Sequence, residues 1–283
     1  MIAIGDMVEI GSYDLHSRFS EVANFVCGNR LITLGTQALD DGPLNIVISE
    51  PLQEDLTRLD VGIERLMLYG REITAWDRES GVTYDSQIVA FEQGNIAVQK
   101  IQENGATLRF FLCQSGHPSS LRFLWMNEVP QFGSGQFVDV LTQRLRAGAN
   151  ALRAAKWIEG ARSLRGVGIG LTPTGDDFLV GVMFGLHLVG RATGVDGQSV
   201  LSLMCNEALC GRDEPIINAM YQMARQARAF RSLKDLLEAI VLRGSDDVVR
   251  CARNVFSVGE TSGTDLVAGL VWAIEKGGCG CQL

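Results

Sequence analysis

Residues 166–190 read GVGIGLTPTGDDFLVGVMFGLHLVG, and this stretch decides between the fold classes open to the chain. It begins as a glycine-rich loop and continues from Phe178 as an apolar helix. The segment 137–158 before it has Leu141, Leu145 and Leu152 on one helical stripe, so the loop follows a helix and not a strand. A dinucleotide-binding sheet needs G-x-G-x-x-G after a strand, and a P-loop needs Gly-Lys-Ser/Thr. Because the stretch has neither pattern, a doubly wound α/β fold is not predicted.

The two halves of the chain differ in the period of their hydrophobic residues. Residues 1–130 contain short β-branched or aromatic runs between turn residues, which predict strands at 31–34, 44–48, 73–76, 88–91 and 107–112. Segment 53–69 is ambiguous, because its leucines also fit a helix. Beyond a Gly/Pro/Ser break at 130–135, helices are predicted at 137–158, 177–192, 198–210, 214–229, 232–243, 245–255 and 264–276. The order predicts an α+β fold, with a strand-rich domain at 1–130 (an antiparallel sheet or small barrel) and an α-helical domain at 136–283.

Composition excludes several classes of protein. The 283 residues carry a net charge of −8 with four lysines, so a nucleic-acid partner is not expected. No apolar run is long enough for a membrane helix, and the N-terminus does not resemble a secretory signal. The seven cysteines are odd in number, which favours reduced thiols and a cytoplasmic location. His16 and His117 have no partner at ligand spacing, which argues against zinc.

A second loop repeats the pattern of the first. Residues 259–265 read GETSGTD, and the segment 263–269, GTDLVAG, matches 175–181, GDDFLVG. In both, a Thr- or Ser-bearing loop ends in glycine, an Asp follows two residues later, and a second glycine follows four residues after that Asp. A glycine inside a helix costs about 1 kcal/mol relative to alanine, so both glycines indicate that two helices approach closely. This repeated pattern, called the sequence echo below, pairs residues 175–181 with residues 263–269. It predicts that the two helices cross near their N-termini and bring both loops to one site.

The composition of these loops is typical of a small-anion site. Helix N-termini supply unpaired N–H groups and partial positive charge, and the loop hydroxyls supply further donors. The predicted substrate- or phosphate-binding residues are Gly170, Thr172, Thr174, Gly175, Asp176, Thr261, Ser262 and Gly263. Asp177 and Asp265 are the candidate catalytic residues. An Asp beside a bound phosphate would be repelled, so each is expected to hold a substrate amide N–H or a Mg²⁺ ion.

A purely structural interpretation remains open at this point. Asp near a helix N-terminus is commonly a cap, and Thr-Pro-Thr-Gly is commonly a turn. Asp176 could cap the first helix and Thr264 the second, which would leave Asp177 and Asp265 free for chemistry. Ser262 has no neighbouring His, so a hydrolase triad is not indicated.

The two loops resemble the family that includes the AllH subunit of oxamate carbamoyltransferase. Its first signature, Gly-x-Gly-Leu-Thr-Pro-Ser-x-Asp-Asp, is similar to residues 168–177, with Thr174 in place of Ser. Its second signature, Gly-His-Thr/Ser-Ser-Gly-x-Asp, is similar to residues 259–265, with Glu260 in place of His. The resemblance covers about 120 residues, all in the helical half.

The resemblance implies carbamoyl transfer between oxalurate and phosphate, giving oxamate and carbamoyl phosphate, in anaerobic allantoin and purine breakdown. It also implies that other carbamoyltransferase subunits are partners and that a small anion is the substrate. The residues leave the cofactor open, with Mg²⁺ as a candidate. Two alternatives are a non-catalytic ligand-binding or scaffold subunit and a Mg-dependent phosphate-transfer enzyme.

Overall fold

A computed structural model of the chain describes residues 1–126 and 136–278. The predicted break at 130–135 and the pair Cys279 and Cys281 lie outside the described residues. Contacts divide the chain into two compact units. The first comprises Met1–Gln87, Asp213–Ala219 and Arg228–Lys234, and the second comprises Ile88–Arg212, Met220–Ala227 and Asp235–Leu283.

The first unit is built on one curled sheet with the strand order β8-β7-β6-β2-β3-β4-β5-β1-β9. Neighbouring strands are antiparallel except for β4 with β5 and β1 with β9. The strands are β1 Ala3–Gly5, β2 Gly11–Arg18, β3 Val22–Cys27, β4 Arg30–Gly35, β5 Asn45–Val47, β6 Arg58–Val61, β7 Arg65–Tyr69, β8 Ile73–Asp77 and β9 Val82–Tyr84.

The ambiguous segment 53–69 contains the strands β6 and β7 and no helix. Leu59 and Val61 in β6, and Leu66 and Leu68 in β7, point alternate side chains into the core of the sheet. Buried residues at every second position are the mark of a strand with one buried face. The sheet predicted for the N-terminal half is confirmed, and it is antiparallel except for two strand pairs.

The described part of the second unit is helical. Its helices, together with two that have residues in both units (α6 and α7), are α1 Asn95–Ser115, α2 Gln136–Arg153, α3 Trp157–Leu164, α4 Thr174–Thr193, α5 Gln198–Leu209, α6 Pro215–Arg225, α7 Arg231–Leu242, α8 Ser245–Phe256 and α9 Ser262–Gly278. Short 3₁₀ turns occupy Arg78–Ser80 and Leu121–Leu124. Six of the seven predicted helices match observed ones within a few residues. The seventh, 137–158, is interrupted, because Ala155 has a positive φ of 58° and separates α2 from α3.

Two predicted strands are wrong. Segment 107–112 lies inside α1, where Ile101, Leu108 and Leu112 are buried on one side at helical spacing. The aromatic run in this segment suggested a strand, but the 3.6-residue period of the buried positions decided the structure. Segment 88–91 is irregular, and its Ile88 N–H donates to Ala227 O at 3.1 Å. The change from strands to helices therefore comes between Tyr84 and Asn95.

None of the described helices is both long and apolar enough to cross a membrane. The described cysteines are free thiols: Cys27, Cys113, Cys205, Cys210 and Cys251.

Helices α4 and α9 form the centre of the second unit and touch backbone to backbone. A Cβ atom added at Gly181 would lie 1.9 Å from Leu266 O, and one added at Gly269 would lie 2.0 Å from Phe178 O. The contacts are reciprocal, because the sequence echo pairs Gly181 with Gly269 and Phe178 with Leu266. The close helix approach predicted from the two glycines is confirmed.

The same contacts fix the direction of the two helices. Gly185, one turn farther along α4, packs against Ala273, and Gly277 near the end of α9 packs against Val189. Later positions in one helix thus face later positions in the other. Helices α4 and α9 therefore run parallel and begin at the same end of the unit. Positions that correspond in the two repeated segments lie at the same level along the two helices.

Candidate functional site

The first loop is fixed by its backbone at the start of α4. The Gly175 N–H donates to Val167 O at 2.8 Å, and a Cβ added at Gly175 would lie 2.0 Å from Leu164 O. Gly168 and Gly170 have φ angles of 135° and 108°, a region that residues with a side chain rarely adopt. The glycines therefore shape a tight loop whose tip, around Gly170, is exposed.

Asp176 holds this loop in place and is neither a cap nor open to a ligand. Its Oδ1 accepts hydrogen bonds from Arg212 Nη1 and Tyr221 Oη, both at 2.8 Å, and its Oδ2 accepts one from Gly166 N at 3.0 Å. The N-cap of α4 is Pro173, which makes no side-chain capping bond. Because both carboxylate oxygens of the buried Asp176 are engaged, its role here is to position the loop.

The second loop is built in the same way. The Gly263 N–H donates to Val258 O at 3.0 Å, and a Cβ added at Gly263 would lie 1.8 Å from Val255 O. Thr264, considered as a cap, instead accepts a hydrogen bond from the His117 backbone N–H at 3.4 Å. Gly175 and Gly263 thus have the same role. Because each lacks a side chain, the backbone that precedes its loop can pass close to the start of the helix.

The two loops meet at the common end of α4 and α9. The Thr172 and Ser262 hydroxyls are hydrogen-bonded to each other at 2.8 Å. Polar interactions also cross between the helices, since the Ser262 hydroxyl lowers the pKa of Asp177 and the Thr174 hydroxyl lowers the pKa of Asp265. The sequence echo pairs Thr174 with Ser262, so the crossing is reciprocal. The structure therefore brings Thr172, Thr174 and Ser262 together with both candidate catalytic residues.

Asp177 and Asp265 are the buried carboxyls at this meeting point. Asp177 is 3% exposed and Asp265 0%. The Leu121 N–H donates to Asp265 Oδ1 at 2.7 Å, but within residues 1–126 and 136–278 the Oδ2 atoms of both aspartates have no hydrogen-bond partner. An unpartnered polar atom in a protein interior is costly and calls for an explanation, such as a ligand that it binds.

Burial controls the ionisation of both groups. It raises the pKa of Asp177 to about 7, although hydrogen bonds from Ser262 and Thr172 act in the opposite direction. Burial likewise raises the pKa of Asp265 well above its ordinary value; the Leu121 N–H lowers it, and the charge of Asp177 adds to the rise. Because the charge of Asp177 acts on Asp265, the two carboxyls are close enough to interact.

The expected anion site differs from the observed geometry in one respect. The Gly175, Asp176 and Asp177 N–H groups at the start of α4 donate to Val167 O or Pro173 O. The Gly263 and Asp265 N–H groups in α9 donate to Val258 O and Thr261 O. These donors were expected to face a ligand, but turns inside each loop satisfy them first. Among the predicted binding residues, Gly170 is exposed, while Thr261 and Ser262 are half-buried.

Several residues around the site were not predicted. Arg212 and Tyr221 hold Asp176, and the segment from His117 to Leu121 lies against the start of α9 through backbone groups. A backbone N–H such as that of Leu121 leaves no signal in a sequence, because every non-proline residue has one. Tyr221 and Arg212 lie 45 and 36 positions from Asp176, so only the fold reveals their partner.

The site does not form a ready-made metal cage. Among the residues that the structure describes, no group of three or more His, Cys, Asp or Glu side chains is arranged to hold a metal ion. A Mg²⁺ ion at Asp177 and Asp265 would therefore take its remaining ligands from hydroxyls, water or substrate.

We expect Asp177→Asn to stabilise the fold at about pH 8 and to have little effect on stability at about pH 4. The folded Asp177 keeps a proton that the unfolded chain releases, so the wild type loses stability as the pH rises from about 4 to about 7. With a pKa of about 7 against an ordinary 3.8, the loss approaches about 4 kcal/mol. Urea unfolding at both pH values measures the difference. Asp246→Asn, in the exposed first turn of α8, is the control, and an equal effect of Asp177→Asn at both pH values would contradict the prediction.

Comparison with known proteins agrees with the resemblance of the two loops. Residues 164–274 match the family model for the oxamate carbamoyltransferase subunit AllH. The matched region includes both loops, all of α4 and most of α9. No curated protein and no solved structure matches the chain. Over residues 164–274, the chain is therefore similar to the family of the oxamate carbamoyltransferase subunit AllH.

Proposed function

We propose that this chain is a cytoplasmic subunit of a carbamoyltransferase that acts on oxalurate and phosphate, or in reverse on oxamate and carbamoyl phosphate. Its partners would be the other subunits of a hetero-oligomeric enzyme. The observation that carries the proposal is the pair of buried carboxyls, Asp177 and Asp265, each with an unpartnered oxygen at the meeting point of the two loops.

The chemistry of the pair favours a carbamoyl substrate over phosphate as the group beside it. Carbamoyl and amide groups bring N–H donors, which buried carboxyl oxygens can accept. Phosphate brings negatively charged oxygens, which an ionised carboxylate repels. A carbamoyl group would therefore lie at Asp177 and Asp265. The phosphate would extend outward, toward the exposed tip around Gly170 and the hydroxyls of Thr172, Thr261 and Ser262, with only its attacking oxygen within reach of the carboxyls.

The reaction needs positioning and charge stabilisation more than a covalent nucleophile. Transfer of a carbamoyl group requires the attacking phosphate oxygen to be held against the carbamoyl carbon. The loops are suited to this task because Asp176, Arg212 and Tyr221 hold the first loop, and the Thr172–Ser262 hydrogen bond ties it to the second. Both parts of the site would then be in place before the substrates bind.

Ligand-dependent stability tests this proposal directly. A ligand that binds only the folded chain adds a free energy of RT ln(1 + [L]/Kd) to its stability and so raises the melting temperature. We expect carbamoyl phosphate and oxamate to stabilise the wild type, and this effect to be reduced in Asp177→Asn but retained in Asp246→Asn. Stabilisation by ATP with Mg²⁺ alone would favour a phosphate-transfer enzyme instead. No response to any of these ligands, by the chain or by the complex with its partner subunits, would refute substrate binding and leave a scaffold role.

A further inference from the structure

Two neighbouring buried carboxyls cannot both carry a full charge without compensation. In the described part of the chain, neither Asp177 nor Asp265 forms an ion pair, and neither is influenced by a lysine or arginine. The guanidinium of Arg212 binds the neighbouring carboxyl of Asp176. Like charges held close together in a protein interior repel strongly, so one carboxyl of such a pair retains a proton.

The surroundings of the pair are otherwise neutral or already engaged. On the α4 side, Asp176 is satisfied by Arg212 and by Tyr221, whose own pKa is raised by burial. On the opposite side, the His117–Leu121 segment presents backbone N–H groups to α9. Thr172, Thr174, Thr261 and Ser262 contribute hydroxyls, which can donate or accept hydrogen bonds.

The reciprocal arrangement of the two helices makes the carboxyls near-equivalents. Asp177 and Asp265 occupy the same position after parallel helix starts, and each interacts with a hydroxyl from the other helix: Ser262 for Asp177 and Thr174 for Asp265. Their surroundings differ in one respect, because the Leu121 N–H donates to Asp265 Oδ1. Two interacting carboxyls can share one proton, and the apparent pKa values then belong to the pair and not to either residue.

We propose that Asp177 and Asp265 hold one proton between them and act as the acid–base pair of carbamoyl transfer. The inference rests on the proposed function and adds a chemical role for each group. It requires no metal ion and no further reactant.

The proton balance of the reaction matches such a pair. In the direction that consumes oxalurate, an oxygen of hydrogen phosphate attacks the carbamoyl carbon and forms a C–O bond. The C–N bond to the oxamate nitrogen breaks, and its electron pair stays on that nitrogen. The ionised carboxyl takes the proton that the phosphate oxygen loses, while the protonated carboxyl gives its proton to the leaving nitrogen. The pair ends with one proton, now on the other member, and is ready for the reverse reaction.

Infrared spectroscopy of the full chain tests the shared proton without any activity. At neutral pH, the wild type should show the carbonyl stretch of one protonated carboxyl that disappears at high pH. Asp177→Asn and Asp265→Asn should each change this band, whereas Asp246→Asn should leave it unchanged. Absence of the band at neutral pH, or its loss when Mg²⁺ alone is added, would overturn the shared proton and indicate an ionised pair or a cation site.

The pH dependence of the reconstituted complex tests the catalytic role. We expect kcat for oxalurate and phosphate to be highest at the pH where the pair carries one proton and to fall at lower and higher pH. Asp177→Asn should remove both the acidic and the basic side of this profile and should lower kcat ~10²-fold. A variant that keeps the wild-type profile would overturn the acid–base role even if it is slower. If the wild-type complex transfers no carbamoyl group, the proposed function falls and the acid–base role with it, while the infrared result still decides whether the proton is shared.

Discussion

Asp177→Asn and Asp265→Asn should each lower the rate of carbamoyl transfer by the complex ~10²-fold or more, while the chain stays folded. Asparagine has nearly the same shape as aspartate but can neither carry a negative charge nor exchange a proton. The change also spares the fold, because neither residue is the helix cap: the N-cap of α4 is Pro173, and the Asp265 N–H is already bound by Thr261 O. Steady-state kinetics of complexes reconstituted with each variant measure the effect.

The double variant distinguishes a functional pair from two independent groups. If the two carboxyls work as a unit, removal of the second should cost little once the first is lost, so the double variant should be about as slow as either single one. Asp246→Asn, which changes an exposed carboxylate in the first turn of α8, is the matched control. Near-normal turnover by both single variants would eliminate the functional interpretation and leave two buried structural residues.

Gly181→Ala should destabilise the chain by at least about 3 kcal/mol and abolish the site. The new Cβ would lie 1.9 Å from Leu266 O, a backbone atom inside α9 that cannot rotate away as a side chain could. Only separation of α4 from α9 relieves such a clash. That separation would also pull apart the Thr172 and Ser262 hydroxyls, which are 2.8 Å apart at the start of the same helices. Gly269→Ala should behave alike, because its Cβ would lie 2.0 Å from Phe178 O.

The destabilisation is measured by urea unfolding at one pH, with Gly197→Ala as the control. Gly197 has a φ of −88°, which alanine adopts readily, and a Cβ added there would meet nothing within 4 Å. The control should change stability by less than about 1 kcal/mol. Wild-type stability of Gly181→Ala would show that the two helices are not in backbone contact in solution.

The sequence predicted the structure best at positions where only one physical reason accounts for the type of residue found there. Glycine at positions 181 and 269 is costly in a helix, and the close helix approach that it predicted is present. The period of apolar residues separated the sheet from most of the helices. It failed in α1, where the aromatic run at 107–112 outweighed the helical spacing of Ile101, Leu108 and Leu112 in the sequence-based interpretation.

The residues of the site could be predicted from the sequence, but the different role of each residue could not. Two consecutive aspartates, Asp176 and Asp177, look equivalent in the sequence. In the structure, Asp176 is engaged by Arg212, Tyr221 and Gly166, whereas Asp177 retains an unpartnered oxygen. The helix-start N–H groups expected to bind an anion are also engaged, because turns within the loops bring Val167 O and Val258 O to them.

The sequence by itself therefore determined that the chain has a sheet half and a helical half, that two loops repeat one pattern, and that two helices must touch. These features depend on local properties: side-chain period, backbone freedom and residue volume. Only the tertiary structure decided that α4 and α9 run parallel, that Asp177 lies close enough to Asp265 to raise its pKa, and that Leu121 donates to Asp265. Burial, and with it the pKa of a carboxyl, depends on residues distant in the chain that displace water, and a linear pattern does not specify which residues those are.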